Sequence, residues 1–188
     1  MYEVKPVLAA VTAASLMLLA PAAFGHGESG HGKPKAADYS KAEETPFGRA
    51  GDPKKVTRTL SVAMYDSMHF SVYAGAGKPV VSDANADKRS LPPGDVVLKR
   101  GETIRFVVRN DGKVMHEMVI GTMEQLKAHA EMMQKFPGME HDEAYLAHVA
   151  PGNAEEIVWQ FTRAGEFHYA CLLPGHMEAG MIAKIIVK

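Results

Sequence analysis

The most informative stretch of the chain is residues 169–184, which read YACLLPGHMEAGMIAK. It contains the only cysteine of the 188 residues, Cys171, followed by His176 and Met181 at equal intervals of five. A thiolate, an imidazole and a thioether form a soft to intermediate ligand set, which selects copper over cations that prefer oxygen. A strand ending at Cys171 and a turn at Pro174–Gly175 would let the three side chains converge at one end of a sheet. The stretch therefore predicts a copper site.

A second histidine would complete the ligand set. Two histidines and a cysteine in a plane, with a weak axial methionine, are the ligands of electron-transfer copper sites. His116, in VMHEMVIG, is the best placed candidate, because it follows the turn NDGK and begins a short β-like run. His168 is only three residues before Cys171 on the same predicted strand, so its imidazole would point in a different direction. His69 is the next alternative.

The first 25 residues have the composition of an export signal. The apolar run from Val7 to Ala20 suits the core of a signal peptide, because it is shorter than the roughly 20 residues that span a bilayer. The small residues Ala23 and Gly25 fit cleavage before His26. The alternative is an uncleaved membrane anchor. The chain is predicted to be exported, with residues 1–25 removed and no stable membrane association of the remainder.

Composition divides the rest of the chain and limits its partners. Residues 26–55 contain almost no large apolar side chains and offer too little hydrophobic surface to offset the entropy of ordering. This composition predicts a disordered tail in front of a domain over residues 56–188.

The formal net charge of −1 gives no reason to expect nucleic acid or an anionic membrane as a partner. The single cysteine cannot form a disulfide within the chain.

Period-two alternation of apolar residues marks the strands of the domain. Turn sequences such as PPGD at 92–95 and RAGE at 163–166 separate the short apolar runs. Strands of this length and spacing predict a mainly β fold, a sandwich of antiparallel sheets. The inward-facing residues predicted for four of these strands are Leu60, Val62 and Met64; Ile104, Phe106 and Val108; Ile157, Trp159 and Phe161; and Ala183, Ile185 and Val187.

One segment, residues 122–136, breaks this pattern with helical spacing. Thr122 and Gln125 form a capping box at its start, and Pro137–Gly138 ends it. The sequence therefore predicts one α-helix inserted after a strand of the sandwich. The apolar residues at helical spacing are Met123, Leu126, Ala130 and Met133.

The spacing of Cys171, His176 and Met181, with a histidine far upstream, resembles the C-terminal ligand loop of the cupredoxins. The wider pattern, from MYDSMHF through GETIRFVVRN and HEMVIG to CLLPGHMEAGM, is similar to the exported copper-tolerance cupredoxins of the CopI kind. The resemblance implies a Greek-key β-sandwich that binds one copper ion. It implies His116, Cys171 and His176 as equatorial ligands and Met181 as the axial ligand.

Two positions beside the expected ligands depart from the cupredoxin pattern. Many cupredoxins have Asn after the first histidine ligand and Ser or Thr just before the cysteine. Here Glu117 and Ala170 stand at these positions. Neighbours of this kind orient ligands and tune the metal, so the surroundings of the site are expected to differ from the family pattern.

The resemblance implies a periplasmic protein of copper tolerance that binds one copper and transfers single electrons. Four protein ligands leave no obvious position for a substrate, so an electron carrier is favoured over an enzyme. The alternatives are a Cu(I) oxidase with an accessory Met/His site, and a carrier or buffer that does not cycle its metal. A transient redox partner is expected to dock near His176, where Leu172, Leu173, Pro174 and Met177 either form an apolar surface or close the core.

Other chemistries fit the same residues less well. A structural zinc site usually needs four Cys, His or carboxylate ligands, and a catalytic cysteine gives no role to Met181. An ordinary buried thiol is the remaining alternative for Cys171. Additional copper binding competes with core packing at two Met/His clusters, and a further copper site is a hypothesis for His26 with His31. The cluster residues are Met64, Met68 and His69, and His129, Met132, Met133, Met139 and His141.

Overall fold

The alternating apolar residues of the sequence form the facing sides of two β-sheets. A computed structural model describes residues 38–74, 78–79, 96–136 and 142–188 of the chain. Within these ranges it contains eleven strands and one α-helix, α1 (Met123–Lys135). The strands are β1 (Arg49–Ala50), β2 (Arg58–Tyr65), β3 (His69–Ala74), β4 (Lys78–Pro79), β5 (Val96–Leu98), β6 (Thr103–Asn110), β7 (His116–Gly121), β8 (Leu146–Val149), β9 (Ala154–Gln160), β10 (Gly165–Ala170) and β11 (Ile182–Val187).

The strands are arranged as a sandwich of two sheets. One sheet has the order β1-β9-β6-β2-β3-β4 and the other the order β5-β11-β10-β7-β8. The predicted mainly β sandwich with one inserted helix is therefore confirmed. Most neighbouring strands are antiparallel, but β2 runs parallel to β6 and β5 runs parallel to β11. The local patterns did not indicate these parallel pairs, because pairing direction depends on how distant segments meet.

The core lies between the two sheets and is formed by the residues that the alternation marks. All of the predicted inward-facing residues of β2, β6, β9 and β11, together with Phe161, are buried. The side chains of Met64, Ile104, Phe106 and Ile185 are 0% exposed. Burial of such apolar side chains contributes about 1.5–3 kcal/mol each. This core holds rigid the strand ends that carry the predicted copper ligands.

The inserted helix packs on the outside of the second sheet, next to the segment that carries Cys171. It begins after Thr122, whose hydroxyl accepts the Gln125 N–H in the predicted capping box. Its buried face packs against Leu172 and against neighbouring strand residues in a second, smaller core. The side-chain amide of Gln134 also donates to Glu178 at 2.8 Å. The helix thus supports the loop between β10 and β11. The residues of the second core are Val119, Leu126, Ala130, Met133, Ala170 and Leu172.

The predicted boundary at residue 56 is wrong for the segment just before it. Phe47 is 2% exposed and stacks on Trp159 at 5.1 Å between ring centroids, while β1 pairs with the end of β9. The Trp159 Nε1–H donates to the Phe47 carbonyl at 3.2 Å. Gly48 fits here because a Cβ would lie 2.1 Å from the Gln160 carbonyl oxygen. Phe47 is a single aromatic residue in a segment without periodicity, so nothing in the sequence indicated this contact.

Several predicted features lie outside the described residues. They include the export signal at residues 1–25 and the first part of the predicted tail, residues 26–37, with both of its histidines. Met139 and His141 of the second Met/His cluster also lie outside them. In the part of the chain that is described, no helix has the length and apolar character needed to cross a bilayer.

Candidate metal centre

The predicted ligands converge because two paired strands present them at the same end of the sandwich. His116 is the first residue of β7, and Cys171 directly follows the last residue of β10. These strands are antiparallel neighbours, with Ala170 opposite Val119. Met181 directly precedes β11, which pairs with the other edge of β10. Strand pairing therefore brings the upstream histidine to the loop of residues 171–181.

The structure brings His116, Cys171 and His176 together as one cluster. One ligand atom from each of the three residues lies within 4.8 Å of the other two. The Cys171 sulfur lies 3.1 Å from Nδ1 of His176, and the two imidazole rings have centroids 5.0 Å apart. His116 and Cys171 are fully buried, whereas His176 is half-buried. The cluster is therefore closed to solvent except at His176.

The other candidate histidines have different partners. His69 binds the Ser67 hydroxyl through Nδ1 at 2.9 Å and stacks on Tyr65. Nε2 of His168 lies 3.6 Å from a carboxylate oxygen of Glu166. Neither belongs to the three-residue cluster found among the described residues. Of the three candidate histidines, His116 is the one that lies with Cys171 and His176 among the described residues.

Met181 is hydrogen-bonded through its backbone to two residues of this cluster, and its side chain is buried. Its carbonyl accepts the Cys171 N–H at 3.0 Å, and its N–H donates to the His176 carbonyl at 3.0 Å. Its side chain is 0% exposed and belongs to the same apolar core as Cys171. The backbone of Met181 is therefore bonded to the first residue and to the middle residue of the loop of residues 171–181.

Burial shifts the pKa values of two residues of the cluster. Burial raises the pKa of the Cys171 thiol to about 12, so a bound metal must displace this proton. Burial, and then the neighbouring His116, lower the pKa of His176 below its ordinary value. His176 is therefore neutral at pH 7, and one of its ring nitrogens has a lone pair available for a metal. Nδ1 of His116 is buried and has no hydrogen-bond partner among the described residues, which fits a nitrogen directed at a metal.

Glu117, which follows the predicted ligand His116, has a buried carboxyl group that joins the two ligand segments. Its backbone N–H points at the Cys171 sulfur at 3.4 Å, and Oε1 accepts the Leu172 N–H at 2.9 Å. Oε2 lies 3.0 Å from Nδ1 of His148 on the edge strand β8. The sequence singled out the position of Glu117 but not His148, because their pairing across β7 and β8 is a long-range contact.

Replacing Glu117 with leucine is expected to destabilise the metal-free protein by about 1–3 kcal/mol. The buried N–H of Leu172 would then lose its acceptor. Urea titration of the free energy of unfolding measures the effect. Glu155→Leu, at an exposed position of β9, is the matched control and is expected to change stability by no more than about 0.5 kcal/mol. Equal unfolding free energies for the two variants would contradict this role.

Part of the surface that was predicted to contact a partner near His176 is buried in the core. Leu172 is 1% exposed and packs beneath α1, while Leu173 and Met177 are half-buried against the same small core. Pro174 remains exposed. Two further exposed apolar side chains, Val114 and Met115, directly precede His116 and are 46% and 44% exposed.

The described members of the Met/His clusters mostly contribute to packing. Met64 and Met133 are buried in the two cores, and Met68 packs against the larger one. Met132 is 44% exposed on α1, and His129 lines a cavity beside it. Packing in the two cores thus accounts for Met64, Met68 and Met133, while His129 and Met132 line the same cavity.

Comparison with known proteins gives consistent matches. The model of the copper binding proteins, plastocyanin/azurin family, matches residues 78–188. The copper-resistant cuproprotein CopI of Rubrivivax gelatinosus is 41% identical over 184 residues, which cover 98% of this chain and 96% of the relative. CopI of Vibrio cholerae is 42% identical over 113 residues, or 60% of this chain and 66% of the relative.

Solved structures support the fold. Auracyanin B has a TM-score of 0.53 at 16% identity, over 78% of this chain and 98% of its own. An auracyanin from Roseiflexus castenholzii has a TM-score of 0.50 at 18% identity, over 71% of this chain and 98% of its own. At these identities the likeness concerns the β-sandwich alone.

Proposed function

The chain belongs to the plastocyanin/azurin family of copper-binding proteins, among the relatives of CopI, and from this membership we propose that it is a periplasmic electron carrier of copper tolerance. The family and the His-Cys-His cluster establish copper as its metal. Proposed beyond that are the ligand set His116, Cys171, His176 and Met181, the transfer of single electrons, and export through residues 1–25. One observation carries the proposal: three soft or intermediate donors lie within 4.8 Å on a rigid β scaffold.

The residues around the site would limit the rearrangement that accompanies electron transfer. Copper supplies a one-electron couple between Cu(II) and Cu(I), which prefer different geometries. The backbone bonds of Cys171 and His176 to Met181 hold the loop in one conformation. Full burial of His116 and Cys171 excludes water from that side of the cluster. Fixed ligands in a dry site would change little between oxidation states, which would lower the barrier to electron transfer.

His176 is the proposed point of electron entry and exit. It is the half-buried member of the cluster, whereas the other two are enclosed. The exposed side chains of Val114, Met115 and Pro174 would form a small apolar contact around it. A contact of this kind suits a transient redox partner, whose complex must dissociate after each transfer.

The proposal is tested by loading the purified protein with Cu(II) and recording its redox behaviour. We expect one copper per chain, an intense visible thiolate-to-copper band, and a reversible one-electron wave in voltammetry. A band that bleaches without a reversible wave would indicate a copper buffer instead. Catalytic consumption of Cu(I) beyond one equivalent, with oxygen reduced in parallel, would indicate a Cu(I) oxidase. Either result would refute electron transfer as the function.

A further inference from the structure

A carboxylate from a distant hairpin holds the upstream copper ligand. Oδ1 of Asp66 lies 3.1 Å from Nε2 of His116, although the two residues are 50 positions apart. His116 is 0% exposed and Asp66 is 40% exposed. We propose that Asp66 is a positioning residue for the copper centre, which keeps Nδ1 of His116 free for the metal and favours Cu(II) over Cu(I). This inference rests on the proposed ligand role of His116.

Asp66 also fixes the loop in front of the ligand. The Lys113 N–H donates to both of its carboxylate oxygens, at 3.0 and 2.8 Å, and the Val114 N–H approaches Oδ1 at 3.4 Å. Gly112 allows this approach, because a Cβ there would lie 2.0 Å from Oδ1. The carboxylate therefore contacts both the imidazole of His116 and the backbone that leads to it.

The other side of this loop is fixed independently. Asn110 is 0% exposed, and its amide donates to the carbonyls of Val114 and Val149 at 2.8 Å each. Its Oδ1 accepts the Gly112 N–H at 2.9 Å. These bonds hold the backbone of the loop without Asp66. The effect of Asp66 on the imidazole of His116 can therefore be tested separately from its effect on the loop.

The hairpin that carries Asp66 has an unusual backbone. Met68 has φ +58°, the only described non-glycine residue with a positive value, and its N–H donates to the Tyr65 carbonyl at 2.9 Å. A left-handed conformation is unfavourable for a residue with a side chain. Met68 lies two residues after Asp66, whose carboxylate contacts His116. Strained backbone residues often occur near functional sites in this way.

The contact assigns the two nitrogens of His116 to different tasks. An ionised carboxylate only accepts hydrogen bonds, so Nε2 must carry the proton that is shared with Asp66. The neutral ring then has its lone pair on Nδ1. That nitrogen is buried and has no hydrogen-bond partner among the described residues. The Asp66 contact therefore selects the tautomer that can bind copper, as carboxylates do for histidine ligands elsewhere.

The charge of Asp66 has a second effect, on the oxidation state. A negative charge hydrogen-bonded to a ligand stabilises the more positive metal ion, and it increases the electron donation of the imidazole. Cu(II) gains more from this than Cu(I). Removing the charge while keeping the shape should therefore make the reduction potential more positive.

Two variants separate these effects, with Asp111→Asn as the control. Asp111 is a neighbouring carboxylate that pairs with Arg109 at 2.6 Å and does not contact His116 among the described interactions. In the metal-free protein, ¹⁵N NMR of the imidazoles should show His116 as the Nε2–H tautomer in the wild type. Asp66→Ala should give a mixture of tautomers and a Cu(II) affinity lower by about 10–100-fold. Asp66→Asn should bind copper with a more positive reduction potential than Asp111→Asn.

The outcomes distinguish this inference from the proposed function. A wild-type tautomer in Asp66→Ala, or equal potentials for Asp66→Asn and Asp111→Asn, would overturn the role of Asp66 even if the protein carries electrons normally. If Asp66→Ala does not fold, the potential of Asp66→Asn decides the question alone. A wild-type protein without a visible band or reversible wave would refute electron transfer, while the NMR tautomer would still test Asp66.

Discussion

Replacing Cys171 with serine is expected to abolish the visible band of the copper-loaded protein and its reversible redox wave. The band requires a thiolate bound to Cu(II), and Cys171 is the only thiol in the chain. A serine hydroxyl is a hard and weakly acidic donor, so it should weaken the binding of soft Cu(I) most. We expect affinity to fall by more than the 10–100-fold that is typical of losing an outer partner of a ligand. Absorption spectra and competitive copper titrations measure both effects.

Ala170→Ser provides the matched control for this substitution. It adds a hydroxyl group one residue earlier, where many cupredoxins have Ser or Thr, and leaves the sulfur of Cys171 in place. Ala170 is fully buried beneath α1, so stability should decrease modestly while the visible band persists. Copper affinity that is unchanged in Cys171→Ser would show that copper binds elsewhere, and the proposed site would be wrong.

Replacing Phe47 with alanine is expected to destabilise the protein by about 3–5 kcal/mol. The ring is 2% exposed, stacks on Trp159 and meets the edge of Tyr145 at 5.3 Å. Its removal would leave a cavity that the surrounding sheet can fill only in part. Denaturant titration at fixed pH, with equal m-values, would report the loss.

Phe136→Ala makes the same chemical change at the end of α1, where the side chain is 60% exposed. Its effect should stay within about 0.5 kcal/mol, because little packing is lost. If both variants unfold at the same denaturant concentration, residues 45–50 would not contribute to the stability of the folded domain. The disordered tail would then extend to residue 55, as the composition alone predicts.

Local features explain why much of the fold was predictable. Alternation along β2, β6, β9 and β11 follows from the two faces of a strand, so each apolar position could be assigned to the core without knowing its partner. The capping box at Thr122 and the buried face of α1 depend on residues three and four apart. Segments without periodicity, such as the one around Phe47, gave no comparable signal.

In the candidate site, too, local spacing predicted some of the residues and long-range contacts placed the others. Cys171, His176 and Met181 lie within eleven consecutive residues, so their spacing alone indicated a shared metal. The choice of His116 over His69 and His168 depended on the pairing of β7 with β10. The resemblance to cupredoxins implied His116, Cys171 and His176 as ligands, and the three side chains lie close together in the structure.

The two-sheet architecture, the inserted helix and the chemical character of the metal could be predicted from the amino-acid sequence, because these depend on side-chain type and short spacing. The groups that surround the predicted ligands became known only from the folded chain: Asp66 contacts His116, Glu117 lies between Leu172 and His148, and α1 packs over the ligand loop. Such contacts join residues separated by tens of positions. They arise when strands pair and the core excludes water, and no local pattern encodes which distant residues will meet.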